Sequence, residues 1–158
     1  MRVGTGFDIH RLGASRPLRL GGVEIPGSKG LVGHSDADCV LHAIADALLG
    51  AAGLPDLGHH FPDSDPKWRD ADSALLLRKV LGLVEQAGYR VVNVDCTVLA
   101  ERPKLAPHRD AMRARIAETL GVERSAVGVK ATTLEELGAL GRREGIACMA
   151  VALLEERA

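Results

Sequence analysis

A mixed α/β (α+β) architecture, one mixed β-sheet with helices packed on one side, follows from three features of this chain. Three segments carry apolar residues at helical spacing, each stopped by glycine. Between them run segments that alternate with a period of two. The last segment, GIACMAVALL from Gly145 to Leu154, is apolar at nearly every position, as in a strand covered on both faces. A chain of 158 residues with 46% hydrophobic content has enough apolar surface for one packed core, so one domain over residues 1–158 is expected.

Residues 2 to 12 alternate around β-formers and read as a strand. A hairpin follows through Leu18 to Ile25, with Gly21-Gly22 as its turn. Gly27 to Gly33 reads as a loop. Asp36 or Asp38 then caps a helix running to Ala52, with Leu41, Ile44, Ala45 and Leu48 on one face and Gly53 at its end. Leu54 to Asp70 concentrates proline and aspartate without either periodicity, so a mobile loop is expected there. From Asp72 the stripe Leu75, Leu76, Val80, Leu83, Val84, Ala87 marks a second helix, stopped by Gly88, and Val91 to Leu99 alternates as a strand. A third helix follows Pro103, with Met112, Ile116 and Leu120 on its buried side and Gly121 beyond its end. Val127 to Thr132 is a strand. In so small a unit, one cover of the last strand is expected to come from either this chain or another subunit.

Twenty basic against 21 acidic residues give a net charge of −1 with the signs mixed along the chain, and aromatics are 3% of residues. Neither a basic surface nor stacking platforms are available, so nucleic acid is not an expected partner. No segment approaches the ~20 apolar residues of a membrane span, and the start MRVGTGFDIHR has no leader pattern; a cytoplasmic protein without a membrane partner is expected. Cys39, Cys96 and Cys148 are widely spaced in apolar segments and read as buried free thiols.

Asp8 and His10 lie two apart on a strand, so both side chains project from the same face, and a carboxylate beside an imidazole is half a zinc site. The pair alone also fits a solvated strand end. His42 lies on the first helix among Leu41, Ala45 and Leu49, with Asp38 and Asp46 one turn away. A carboxylate there can accept the proton of the second ring nitrogen and fix the metal-binding tautomer. A core-edge histidine bonded to Asp46 fits the same pattern. Three ligands would leave one position open, as catalytic zinc requires. His34, Ser35 and Asp36 precede the helix, where free N–H groups favour a phosphate, or where Ser35 and Asp36 simply cap. The run from Lys130 to Glu135, with Arg142 nearby, offers hydroxyls and a carboxylate for phosphate oxygens and a harder cation such as Mg²⁺, or is an ordinary strand exit. The GTG of Gly4 to Gly6 precedes no helix and is not a dinucleotide fingerprint.

Taken together, GTGFDIHR, GHSDADCVLHAIADALLGAAGLPDLGHHFPDSDP, ERPKLAPH and KATTLEELGALGRREGIACMAVALL resemble, in order and spacing, the 2-C-methyl-D-erythritol 2,4-cyclodiphosphate synthase family of the non-mevalonate isoprenoid pathway. The resemblance runs end to end. It implies Zn²⁺ on Asp8, His10 and His42, transition-state stabilisation by His34 and Thr133, and a second cation, Mg²⁺ or Mn²⁺, held by Glu135 on the substrate diphosphate. It further implies that Ser35, Asp56, Leu57, Gly58 and the lid formed by Phe61, Pro62, Asp63, Ser64 and Asp65 hold the methylerythritol part. Ala100, Glu101, Arg102, Pro103, Lys104, Leu105, Ala106 and Thr132 would line the cytidine diphosphate pocket, with Leu134, Ala139 and Arg142 close to the substrate. Members are homotrimers with sites between subunits, which implies a pocket supplied by the neighbouring chain. Two departures are Ala139, where the family commonly has Phe, and Arg102, where it tends to have Gln.

The implied reaction is intramolecular. The 2-phosphate of 4-diphosphocytidyl-2-C-methyl-D-erythritol 2-phosphate attacks the β-phosphorus and expels CMP. An anionic phosphate is already a nucleophile, so positioning and charge neutralisation are the needs, not a base. Asp/His zinc with an open position also suits a phosphohydrolase, and a closed four-ligand metal would suit a non-catalytic trimeric binding module.

Overall fold

The computed structural model describes residues 1–157. Its strands form one sheet of order β2-β1-β5-β3-β4, with β1 Arg2–Leu20, β2 Val23–Leu31, β3 Tyr89–Leu99, β4 Val127–Thr132 and β5 Gly145–Glu156. Only the β3–β4 pair is parallel, so the sheet is mixed as expected. The helices are α1 Cys39–Ala52, α2 Leu57–His60, α3 Ser73–Gln86, α4 Arg109–Leu120 and α5 Gly138–Gly141. No helix among the described residues is long and apolar enough to cross a membrane.

The GTG segment earns its place by packing. Gly4 and Gly6 face α1, and a Cβ on either would overlap the carbonyl oxygen of Ala47 or Ala43. Glycine on the strand and Ala43, Ala47 and Ala51 on the helix let α1 lie close against β1, with Ala43 and Ala47 fully buried. That approach brings His42 over Asp8, two residues beyond Gly6 on the same strand face. Asp38 caps α1, accepting from the Val40 and Leu41 amides, and Gly53 closes the helix in the left-handed region at φ 74°. Asp38 also accepts from Gly21 N and Gly22 N at 2.9 and 2.7 Å, tying the hairpin turn to the helix start.

Several expectations need correction. The loop expected over Gly27 to Gly33 is largely strand, because β2 continues to Leu31 and pairs across an irregular register with Leu12, Ala14 and Pro17. The expected loop from Leu54 to Asp70 contains α2 and a 3-10 turn at Pro66–Trp68, capped by Asp56 and Asp65, pieces too short to show a periodicity. Within α3, Leu75 is 42% exposed while Leu77 is buried, so the inward stripe keeps Leu76, Val80 and Val84 but is flanked by Leu77 rather than Leu75. The third helix begins at Arg109, well after Pro103, behind a 3-10 turn at Ala106–His108. The four-residue α5 has no counterpart in the sequence reading, since Gly138 and Gly141 bracket it without a stripe.

β5 is not covered on both faces within this chain. Ile146, Cys148, Ala150, Ala152 and Leu154 are buried toward the helices, whereas Met149 and Val151 are exposed beside Val3, Phe7 and Ile9 of β1. The three cysteines are buried and free, and burial pushes the Cys39 thiol far up.

Candidate functional site

The face of β1 that meets α1 presents Asp8 and His10, and α1 sets His42 against them. Asp8 Oδ2 lies 2.9 Å from His10 Nε2 and 3.0 Å from His42 Nδ1, and the two imidazole nitrogens are 3.3 Å apart. Ligands at zinc–nitrogen bond length in a tetrahedron stand about 3.3 Å from one another. The three atoms therefore span one face of such a polyhedron without rearrangement. They are the one such group of His, Cys, Asp or Glu among the described residues. A carboxylate with two imidazoles suits zinc and leaves the fourth position open. His59 and His60 lie outside this group and meet edge to face, 5.4 Å between centroids.

The distal ring nitrogens are fixed as well. His10 Nδ1 donates to the Val32 carbonyl at 2.8 Å, which leaves Nε2 for the ligand position. His42 Nε2 meets Ser73 Oγ at 2.9 Å and Ser35 Oγ at 3.2 Å. Ser73 Oγ donates in turn to Asp36, so it accepts the His42 proton and fixes Nδ1 as the ligand atom. Neither carboxylate expected one turn away is bonded to the His42 ring. Asp38 is consumed as the α1 cap, and Asp46 accepts from Leu57 N at 2.8 Å. A carboxylate does stand behind His42, but it is Asp36, one hydroxyl removed.

Burial opposes charge on Asp8, yet hydrogen bonds from His10 and His42 outweigh it and hold the carboxyl well below the usual range. Burial works against protonation of His10, but its hydrogen bond to Asp8 prevails and raises it above its ordinary value. The cluster thus concentrates negative charge where two imidazoles compete with a cation for it.

Asp8, His10 and His42 line a cavity of about 370 Å³ together with His34, Ser35, Leu57, Gly58, Phe61 and Asp63. Trp68, Leu76 and Gly33 complete it. The sequence reading passed over these three; a lone tryptophan inside a polar, proline-rich segment was the available signal. Phe61 and Trp68 pack edge to face at 4.9 Å and give the lining an aromatic part. Asp56 and Asp65 stand outside this lining. Asp56 caps α2, and Asp65 caps the 3-10 turn while its carbonyl faces His34 Nε2 at 3.3 Å. Pro62 and Ser64 are also outside. At the α1 N-terminus, the Val40 and Leu41 amides are taken by Asp38 rather than left free for a phosphate.

The remaining residues gather elsewhere. Thr132, Thr133 and Glu135 leave β4, beside Ala100 to Ala106, which leave β3; Ala100 N bonds Thr132 O at 3.0 Å. Glu101 Oε1 accepts from Leu134 N at 2.6 Å and Glu136 N at 3.3 Å, and Glu135 and Glu136 are held at φ 52° and 61°. Leu105 and Ala106 line a 240 Å³ cavity with Arg109, Val129, Lys130 and Ala131. Ala139 instead lies beside the β1 cluster, lining a hollow with Leu140, Ile9 and His10, and Arg142 is paired with Glu144 at 2.7 Å. Since β5 and β3 separate β1 from β4, Thr132 at the end of β4 is three strand spacings, roughly 14 Å, from β1, and Ala100 beyond the end of β3 is two, roughly 10 Å. One chain does not bring the two groups together.

A family model described as the YgbB family matches residues 1–155. The chain is 61% identical over 155 residues to 2-C-methyl-D-erythritol 2,4-cyclodiphosphate synthase of Geobacillus kaustophilus, covering 98% of each. It is 60% identical over 155 residues to the synthase of the same name from Salinibacter ruber, covering 98% of this chain and 99% of that one. A solved structure of 2C-methyl-D-erythritol-2,4-cyclodiphosphate synthase in a CDP-bound form superposes with a TM-score of 0.89 at 40% identity, over 98% of this chain and 100% of the other.

Proposed function

This chain belongs to the YgbB family, and from that premise we propose that it converts 4-diphosphocytidyl-2-C-methyl-D-erythritol 2-phosphate to 2-C-methyl-D-erythritol 2,4-cyclodiphosphate and CMP, as a cytoplasmic phosphorus–oxygen lyase. The observation that carries the reading is the convergence of Asp8, His10 and His42 on one point at the edge of a cavity. Its open fourth position fits a catalytic rather than a closed structural metal.

In this reaction the 2-phosphate oxygen forms a bond to the β-phosphorus, and the bond from that phosphorus to the oxygen bridging the α-phosphate breaks, leaving CMP. What divalent cations supply when bound, Zn²⁺ at Asp8, His10 and His42 with Mg²⁺ or Mn²⁺ at Glu135, is positive charge against the repulsion of two anionic phosphoryl groups. His34 and Thr133 orient phosphoryl oxygens. Ser35, Leu57, Gly58 and Asp63 hold the polyol, and Phe61 with Trp68 excludes water from the reacting groups. Ala100 to Ala106 and Thr132 take the cytidine. A homotrimer in which Thr133 and Glu135 of one chain face the Asp8 cluster of the next accounts for the separation of the two groups, and the exposed apolar face of Val3, Phe7, Ile9, Met149 and Val151 is suited to the contact.

Incubation of the protein with Zn²⁺, Mg²⁺ and the cytidyl substrate is expected to release CMP and the cyclic diphosphate in equal amounts, followed by phosphorus NMR. Ring-opened product or inorganic phosphate would instead make the protein a hydrolase. His42→Ala should lower turnover by about a thousandfold or more; equal turnover by that variant rejects the metal assignment.

A further inference from the structure

We propose that Arg16 is a positioning residue for this site, holding the segment Leu31–Ser35 as a rigid wall that presents His34 and Ser35 to the substrate. Its guanidinium reaches three carbonyls of that segment, Leu31 O through Nε at 2.9 Å, Gly33 O through Nη2 at 3.1 Å and Ser35 O through Nη1 at 2.7 Å. Gly33, His34 and Ser35 form a bend, and its curvature turns these three alternate carbonyls in toward one guanidinium. The two between them are also engaged. Val32 O accepts from His10 Nδ1 at 2.8 Å, and His34 O accepts from Asp70 N at 2.7 Å. Arg16 Nη1 approaches the Asp70 carboxylate at 3.5 Å as well. One side chain thus joins the hairpin, the wall carrying His34, and the end of the segment that bears Phe61 and Trp68.

The surrounding chain is built to place this side chain. Between the pairs Ala14–Gly30 and Pro17–Lys29, Ser15 and Arg16 are two extra residues on β1, a bulge that re-aims Arg16. Pro17 restricts Arg16 to extended backbone. At Gly30 a Cβ would overlap the Arg16 carbonyl and sit 2.9 Å from its Cγ, so glycine leaves the room that Arg16 occupies. A planar fork of five donors can serve three carbonyls at once, whereas an ammonium is a single point of charge that reaches one at a time.

This inference rests on the proposed reaction for its kinetic arm alone. Arg16→Lys, loaded with Zn²⁺ and without substrate, is expected to exchange amide hydrogens of the peptide spanning residues 31–36 at least about tenfold faster, with exchange in β5 unchanged. Its kcat for CMP release should fall about tenfold or more while Zn²⁺ stoichiometry is retained. Methylguanidinium should restore part of the kcat of Arg16→Ala, and methylammonium should not. Unchanged exchange in residues 31–36, exchange raised equally throughout β5, or a kcat within about twofold of the parent each overturn the proposal. A parent protein that released no CMP would sink the proposed reaction, and the exchange arm would still decide the role of Arg16.

Discussion

The two groups of residues assigned to the reaction are finished to different degrees within one chain. Around Asp8, His10 and His42 the ligand atoms already stand at coordination spacing, and both distal ring nitrogens are bonded to groups that are themselves bonded. The turn from Thr132 to Glu136 is exposed, projects from an edge strand, and is held by one carboxylate, Glu101. A cation has no shape to impose on its ligands, so the protein must preorganise them. A nucleotide brings its own size and hydrogen-bonding groups, so its contacts can be completed on binding.

Removing the support behind the preorganised half should produce the largest effect. Ser73→Ala deletes the acceptor of His42 Nε2 and leaves Ser35 Oγ, at 3.2 Å and already accepting from Ala37 N, as the remaining partner. Zn²⁺ affinity, measured against a competing chelator, should weaken about ten- to a hundredfold. The affinity of this variant for CDP should not move. A Zn²⁺ dissociation constant unchanged by the substitution would show that the hydroxyl relay to Asp36 does not tune the metal.

The same half should respond to pH in opposite directions with and without metal. His10 is raised above its ordinary value by Asp8, so without metal its protonated form stabilises the folded state. That contribution is complete below the unfolded histidine value and is lost as pH rises through the raised one. Metal binding needs the neutral ring, so Zn²⁺ affinity should be highest above the raised value and fall up to about tenfold per pH unit below it. Asp8, held low, stays ionised across this range. Thermal melts from pH 8 downward should therefore show the metal-free protein gaining stability while the loaded protein loses its advantage. Parallel trends would remove His10 from the coordination set.

How much of this was legible in advance follows from how local each feature is. Asp8 and His10 share a face because of strand alternation, and His42 stands out on a helix of apolar neighbours, so the ligand set could be read from single elements. The cap at Asp38 and the stops at Gly53 and Gly121 are equally local. Ser73 was not legible as the partner of His42, because it comes from a different helix and 31 residues away. Arg16 lay hidden for a related reason: its aim depends on a register irregularity that no periodicity announces. The distance between the Asp8 cluster and Thr133 follows from sheet order alone, which element patterns leave open.

The smallest effect is expected where the structure is least complete. Glu101→Ala would strip the acceptor from Leu134 N and Glu136 N, and with it the force that keeps Glu135 and Glu136 in the left-handed region, a conformation that costs about 1 kcal/mol or more for each non-glycine residue. The turn should relax, and CDP affinity by calorimetry should weaken by several-fold, about 1 kcal/mol. Zn²⁺ affinity should be unaffected, because β5 lies between β3, which leads into Glu101, and β1, which carries Asp8 and His10. Glu101→Gln retains an oxygen that can accept both amides, so it should bind CDP within about twofold of the parent. If Gln behaved like Ala, the negative charge of Glu101 rather than its geometry would be what shapes the turn. If both variants weakened Zn²⁺ binding, the two regions would be coupled through the sheet, and their different degrees of completion could not be read as separate tasks.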